Sequence, residues 1–324
     1  MVSTLREGKK LVMSGLYPAT ITPFTPDGAL DMSALERHIA ATFAAAGVCG
    51  VVINSGLGEI LQLSSEEKIR AIELALRHRA PGQVVIAGVE GHDADLVIRD
   101  ALDAKRAGAE ALLVFPPFDR RAYRRLAAHP ASVRQFFSRL DREVDLPMVV
   151  FQYPPNSHCA YSVESLKAIA DLPNVVAIKV ATAGDFPAYA AVWDALKDDL
   201  SILVGVDSPP LLDMLRHGAH GALIGISAIV PEKWAELLAL VEHDDAAADA
   251  LFDRVCRPLM SSVFENQQPK RLTSEAAAVK EALCQLGEIP CPAARAPAFP
   301  VDDDVRAEIR DALDSAGLLR RTAA

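Results

Sequence analysis

One pattern, repeated eight times, constrains this chain more than any other feature. A small-residue turn leads into a short apolar run, the run ends in Gly, Pro, Ser or Thr, and an amphipathic segment follows. The first four runs are GLYPATITPF from Gly15, GVCGVVINSG from Gly47, GQVVIAGVEG from Gly82 and GAEALLVFPP from Gly108. The next four are LPMVVFQYPP from Leu146, NVVAIKVATAG from Asn174, LSILVGVDSPP from Leu200 and HGALIGISAIVPE from His220. They are rich in Val, Ile and Ala and nearly continuous, as parallel strands buried on both faces require.

Helical stretches separate the runs, among them 31–46, 65–79, 93–107 and 162–171. Several begin with Ser or Asp in a capping position, as where Ser64 and Ser65 precede Glu66 and Glu67. Eight strand-then-helix units predict an α/β fold, a (β/α)8 TIM barrel. A doubly wound sheet is the alternative, but no GxGxxG turn follows the first run. The barrel is assigned to 15–235. The remainder, 236–324, reads as a C-terminal helical extension packed on it. Across the junction the expected helices are 233–242, 246–264, 274–287 and 302–316, with the Pro-rich IPCPAARAPAFP before the last.

Composition narrows the partners. The 33 Lys and Arg against 43 Asp and Glu leave a net charge of −10 without basic blocks, which argues against nucleic acid or an anionic membrane. Five cysteines, an odd number with no CxxC pair, read as free thiols in a reducing compartment rather than a zinc cluster. No run has the length of a signal peptide's apolar core or of a membrane span. The expectation is a cytoplasmic protein.

In a barrel of this kind reactive groups belong at the C-terminal ends of the strands. Lys179, in VVAIKVATAG, is the sharpest candidate, because burying an unpartnered charge is costly. Desolvation lowers a lysine's pKa and leaves a free amine that can attack a carbonyl and form an imine. A satisfied ion pair is the plainer alternative. Ser55-Gly56-Leu57-Gly58-Glu59 follows the second run, and its glycines allow backbone N–H groups to approach a carboxylate, although a tight β–α turn is the more common explanation of such a segment. In Phe151-Gln152-Tyr153, alternation puts Phe151 and Tyr153 on one face, with Tyr153 nearer the mouth if that face is the interior. A core tyrosine is the alternative there. Glu90 and His92 read as a solvated loop, His217 and His220 as exposed loop residues, and Asp207 as a pocket residue or a helix cap.

These residues resemble the dihydrodipicolinate synthase and N-acetylneuraminate lyase family of pyruvate-dependent class I lyases. The similarity runs from about Gly15 to Leu318 and is carried by PATITPFTPDGALD, GLGE, VIAGV, LLVFPP, LPMVVFQYP, NVVAIKVATAG, GVD and GALIGISAIVP. The resemblance implies a barrel with a helical extension, assembled as a tetramer of tight dimers. It implies Lys179 as the Schiff-base lysine and the Gly56–Leu57 turn as the holder of the keto-acid carboxylate. Gly205 and Leu223 line up near the bound pyruvate moiety. No metal or organic cofactor is implied.

The chain also departs from that pattern. SGLGE stands where GTTGE or GSTGE is usual, so Gly56 and Leu57 lack the hydroxyls. The relay tyrosine of the fifth strand falls on Phe151, and a tyrosine donated across the dimer falls near Phe118 and Asp119. The arginine that holds a substrate carboxylate in dihydrodipicolinate synthases aligns with Asn156, which cannot replace its charge. Tyr153, about 6 to 7 Å along the strand from Phe151, is the available substitute acid/base. Ser55 and His158 are weaker ones.

The sequence therefore predicts a Schiff-base class I lyase acting on pyruvate or another 2-keto acid, other than a true dihydrodipicolinate synthase. Ser55, Gly56, Leu57, Phe151, Gly205 and Leu223 are its expected substrate-binding residues, and a homo-oligomer, dimer or tetramer, its expected assembly. The competing reading is a keto-acid-binding or regulatory barrel that has lost turnover.

Overall fold

The computed structural model describes residues 9–117, 123–264 and 274–319. All eight apolar runs contain strands. These are β1 Gly15–Leu16, β2 Gly50–Ile53, β3 Val84–Val89, β4 Ala111–Val114, β5 Met148–Gln152, β6 Val175–Val180, β7 Ser201–Val204 and β8 Gly221–Ala222. They pair in parallel in the order β1-β8-β7-β6-β5-β4-β3-β2. Parallel bridges Leu16–Val48 and Ala19–Val52 join β1 to the segment of β2 and close the ring. The first strand is short because Pro18 and Pro23 interrupt its run and offer no N–H. Its neighbours are still held on both sides, with Tyr17 N donating to Ala222 O at 2.9 Å and Cys49 N to Leu16 O at 2.9 Å. A (β/α)8 barrel results.

The barrel helices are α1 Met32–Ala44, α2 Ser65–His78, α3 Ala94–Arg106, α4 Pro130–Val144, α5 Val163–Lys167, α6 Phe186–Leu196, α7 Leu211–Gly218 and α8 Pro231–His243. Ser64 and Glu67 form a reciprocal capping box at the start of α2, with bonds of 3.2 and 2.9 Å. The expected helix 162–171 is α-helical only through α5. Beyond it the chain tightens into i to i+3 bonds, such as Ile169 N to Leu166 O at 3.2 Å, before Pro173.

Among the described residues four further helices follow the barrel: α9 Asp245–Leu251, α10 Arg257–Val263, α11 Glu275–Gln285 and α12 Asp303–Ser315. The predicted single helix 246–264 is α9 and α10 joined by a π-turn at Phe252–Cys256. Pro258 follows that turn and cannot donate to the preceding one. Among the described residues no helix is long and apolar enough to cross a membrane. None of the five cysteines, all of them described, is in a disulfide.

Register decides what faces the barrel interior. Phe151 pairs with Lys179, Lys179 with Leu203, and Leu203 with Gly221, so these four positions share one face. Gly205 and Leu223 lie one pleat further on that face, toward the strands' C-terminal ends.

Candidate active site

Lys179 is buried, with 8% of its surface exposed, and the strand around it is buried along its whole length. Its aliphatic stem passes over Gly205. A Cβ at that glycine would stand 2.6 Å from Lys179 Cγ and 2.8 Å from Cε, so no larger residue fits without moving the lysine. Its amine lies over the ring of Phe151, 4.0 Å from the centroid. Among the described residues it makes no hydrogen bond or salt bridge. Burial lowers its pKa below the ordinary lysine value, opposed by the negative charges of Asp207 and Glu275.

Asp207, just past the end of β7, has the larger effect of the two acids that oppose this shift. One oxygen, Oδ1, accepts the Ile226 N–H at 2.8 Å. Burial pushes its carboxyl up to about 7, with Lys179 and the Ile226 N–H pulling the other way. Burial thus favours the neutral form of both the carboxyl and the amine, and each one's charge opposes that shift in the other. Its hydrogen bond goes to Ile226, the first residue of the 3-10 helix Ile226–Ala228 after β8, and not to the start of α7, the helix that follows it in sequence.

The β5 face follows the alternation. Gln152 points away from the interior and binds the backbone of Tyr161 through two 2.9 Å bonds. Phe151 and Tyr153 share the other face, with ring centroids 4.7 Å apart and planes at 75°. Phe115, at the end of β4, completes a triangle, 5.1 Å from Phe151 and 6.4 Å from Tyr153. The ring under the amine is the one that lacks a hydroxyl.

The SGLGE turn is built by its own backbone. Ser55 Oγ accepts the Gly58 N–H at 3.2 Å, Glu59 N donates to Gly56 O at 3.0 Å, and Ile60 N donates to Ser55 O at 3.2 Å. Ser55 thus braces the turn as an acceptor, which leaves its O–H donor unused among the described residues. The N–H groups of Gly56 and Leu57 make no hydrogen bond among the described residues, which leaves them for a ligand. Leu57 is buried and approaches Gly225: a Cβ built there would lie 3.5 Å from Leu57 Cδ2 and 3.6 Å from Asp207 Oδ2. The turn after β2 and the lysine's carboxylate neighbour therefore meet. Leu223 is fully buried and donates its N–H to Val204 O at 2.8 Å.

Other expected residues fall elsewhere. Asn156 is exposed, in a single turn of 3-10 helix at Pro155–Ser157, and His158 is exposed just beyond it. Phe118 and Asp119 lie outside the described residues. His217 is exposed but belongs to the last turn of α7. His220 is half-buried rather than an exposed loop residue, and its Nδ1 accepts the Ile202 N–H at 3.0 Å. Glu90 and His92 line a polar cleft of about 430 Å³ with Lys68 and Asp100, away from Lys179.

Several neighbours escape a reading by strand ends. Phe115 sits in LLVFPP with the same apolar signature as any core residue. Phe264 at the end of α10 and Glu275 at the start of α11 reach the site from the extension, far away in sequence. Thr182, three residues past Lys179, buries a hydroxyl that has no partner among the described residues. Alternation along β4 is the one signal that could have drawn attention to Phe115.

Fold and site together define a (β/α)8 barrel that carries a desolvated amine on its inner wall. The chain belongs to the dihydrodipicolinate synthetase family, whose model it matches over residues 12–316. It is 28% identical over 312 residues to the 4-hydroxy-tetrahydrodipicolinate synthase of Bradyrhizobium diazoefficiens, covering 96% of this chain and 99% of that one. It is 31% identical to the enzyme of the same name from Phenylobacterium zucineum, over 94% and 98% of the two chains. Among solved structures, the chloride-inhibited dihydrodipicolinate synthase of Acinetobacter baumannii, complexed with pyruvate, superimposes with a TM-score of 0.83. It is 26% identical, and the match covers 95% of this chain and 100% of that one. The family places this chain among lyases.

Proposed function

We propose that this protein is a class I lyase that forms an imine between Lys179 and a 2-keto acid, pyruvate or a relative of it. The observation that carries the proposal is the buried, unpaired amine of Lys179 at the level where the strands end. Burial lowers its pKa, so a larger share of it is free amine than in an exposed lysine. The amine attacks the C2 carbonyl, water leaves, and the protonated imine withdraws electrons so that a bond at C3 can form or break. The unpaired Gly56 and Leu57 amides suit the keto acid's carboxylate. Gly205 gives the lysine its path, and Leu223 shares the inner face.

Proton transfer needs a replacement for the hydroxyl absent at Phe151. Tyr153 is our assignment, packed edge-on against that ring. Asp207, with its carboxyl pushed up to about 7, is well matched to hold or give a proton beside the imine. The exposed Asn156 has no charge to offer a substrate carboxylate, which supports a substrate other than that of dihydrodipicolinate synthases.

Borohydride reduction with pyruvate, read by mass spectrometry, tests the imine: the expected result is one adduct, on Lys179. Absence of any adduct across a panel of keto acids removes the proposal. Tyr153→Phe should keep the adduct and lower aldol or dehydration turnover by about 10²-fold or more. The second reading, a binding barrel without turnover, is favoured by Phe151 under the amine. An adduct with no turnover on any keto acid would select it.

We also propose a homo-oligomer, dimer or tetramer. Leu61 is 72% exposed and Tyr123 50% exposed, large apolar surfaces beside neighbouring clefts that share His92 and Pro117. A monomer in sedimentation equilibrium would refute this.

A further inference from the structure

Two peptide units of the SGLGE turn carry the open N–H groups of Gly56 and Leu57, and the carbonyl of each unit is already held. A peptide unit is planar and trans, so its N–H points opposite to its C=O. The Gly56 N–H shares its plane with Ser55 O, which accepts the Ile60 N–H at 3.2 Å. The Leu57 N–H shares its plane with Gly56 O, which accepts the Glu59 N–H at 3.0 Å. Where residues 59 and 60 stand therefore sets the direction of both open amides.

Glu59 does not stand there by its own preference. Its φ of 56° lies in the left-handed region, which glycine and asparagine enter readily and glutamate does not. Its side chain is what is held. The carboxylate accepts a hydrogen bond from the Lys280 amine and, at 3.3 Å, one from the Arg295 backbone N–H. Lys280 is fully buried and Glu59 is 5% exposed, so solvent screens this pair little. The Arg295 guanidinium joins Gln62 O, at 2.8 Å, to the Glu67 carboxylate. Gln62 ends the 3-10 turn Ile60–Gln62 that begins just after Glu59. The extension thus fixes both residues whose N–H groups orient the open amides.

We propose that Glu59, Lys280 and Arg295 are positioning residues: through the backbone of residues 55–62 they aim the Gly56 and Leu57 N–H groups at the carboxylate of the keto acid. The proposal rests on those two amides binding that carboxylate and adds the residues that hold them in place. The extension acts on the substrate's acid through the turn rather than by contact.

A cluster that served folding alone would, when broken, weaken every ligand alike. Misaimed amides weaken only a ligand that uses its carboxylate. The test is therefore borohydride trapping with two probes, pyruvate and pyruvamide. Both offer Lys179 the same methyl ketone, and pyruvamide replaces the carboxylate with a neutral amide, a weaker hydrogen-bond acceptor. In each case the amine and the C2 carbonyl lose one water, and borohydride delivers hydride to the former C2 to leave a secondary amine.

Two variants are compared with the parent: Arg295→Met, and Glu59→Gln/Lys280→Met, which removes both charges of the buried pair together. In each, the pyruvate concentration for half-labelling of Lys179 should rise at least about tenfold, equivalent to about 1.4 kcal/mol, while that for pyruvamide moves by less than about threefold. Either variant alone decides the matter if the other does not fold. Equal shifts for the two probes, or no shift for pyruvate, overturn the positioning role and leave the imine standing. Failure of pyruvate to label the parent removes the imine and the positioning role with it.

Discussion

Two lysines are buried among the described residues, and they do opposite things. Lys280, on α11, is fully buried; its amine donates to the Glu59 carboxylate and, at 3.1 Å, to Ala293 O. The same amine lies 4.2 Å from the centre of the Phe24 ring, against which Arg295 also stacks. Lys179 is nearly as buried and rests on a ring as well, yet it has no anion or carbonyl in hydrogen-bond contact among the described residues. Burial lowers the pKa of both. One carries a satisfied charge and the other a displaceable proton.

The satisfied lysine has a structural task that reaches the site. Glu59, in the left-handed region at φ 56°, ends the turn that begins with Ser55. Its carboxylate takes Lys280 and, at 3.3 Å, the backbone N–H of Arg295. The Arg295 side chain in turn binds Gly28 O at 3.0 Å, Gln62 O at 2.8 Å and the Glu67 carboxylate through bonds of 2.9 and 2.8 Å. Glu67 is also the capping residue of α2. The extension therefore grips the β2–α2 turn from three directions. Substituting one lysine at a time separates the two roles.

Lys179→Met gives the largest effect. It should abolish the borohydride adduct completely while unfolding in urea at the same concentration as the parent or a higher one, because it replaces an uncompensated buried amine with an apolar side chain. A clear loss of stability would make Lys179 a structural residue like Lys280. Lys280→Met is next. It strands the Glu59 carboxylate in the interior, and removing one partner of a buried pair costs about 3 kcal/mol or more. The double variant Glu59→Gln/Lys280→Met should recover more than half of that loss. A single-variant cost under about 1 kcal/mol would mean that the pair contributes little.

The smallest effect is one of pH. Asp207 raises the pKa of Lys179, so Asp207→Asn should lower it further and move the inflection of the pyruvate-labelling rate to lower pH. Stability should respond as well. The folded carboxyl is held up to about 7 against an ordinary 3.8, so between those values the folded state keeps a proton that the unfolded chain has released. The parent then loses stability as pH rises through that window. Asp207→Asn should gain on it between about pH 4 and about pH 7. An unmoved inflection would separate Asp207 from the amine.

The lysines also show how far the sequence could be read. VVAIKVATAG announces Lys179 because a charge interrupts an apolar strand. AAAVKEAL contains the same signal for Lys280, and nothing local tells a nucleophile from a clamp. The difference is Glu59, 221 positions earlier in the chain. The Ser55–Glu59 turn was legible as a close-approach loop. That Ser55 accepts the Gly58 N–H, and that the Gly56 and Leu57 amides stay open among the described residues, depended on turn geometry. Tyr153 on the face of Phe151 followed from alternation, whereas Phe115 and Phe264 came from other elements.

By itself, then, the sequence determined the eight-unit barrel, because strand and helix periodicities and capping residues are local properties of the chain. It also determined that an amine would be buried at the end of β6. Only the tertiary structure decided what that amine meets. Barrel closure and the return of the extension set the Phe151 ring, the Asp207 carboxyl and the Gly225 loop against it, and such contacts depend on packing between segments that no local pattern encodes.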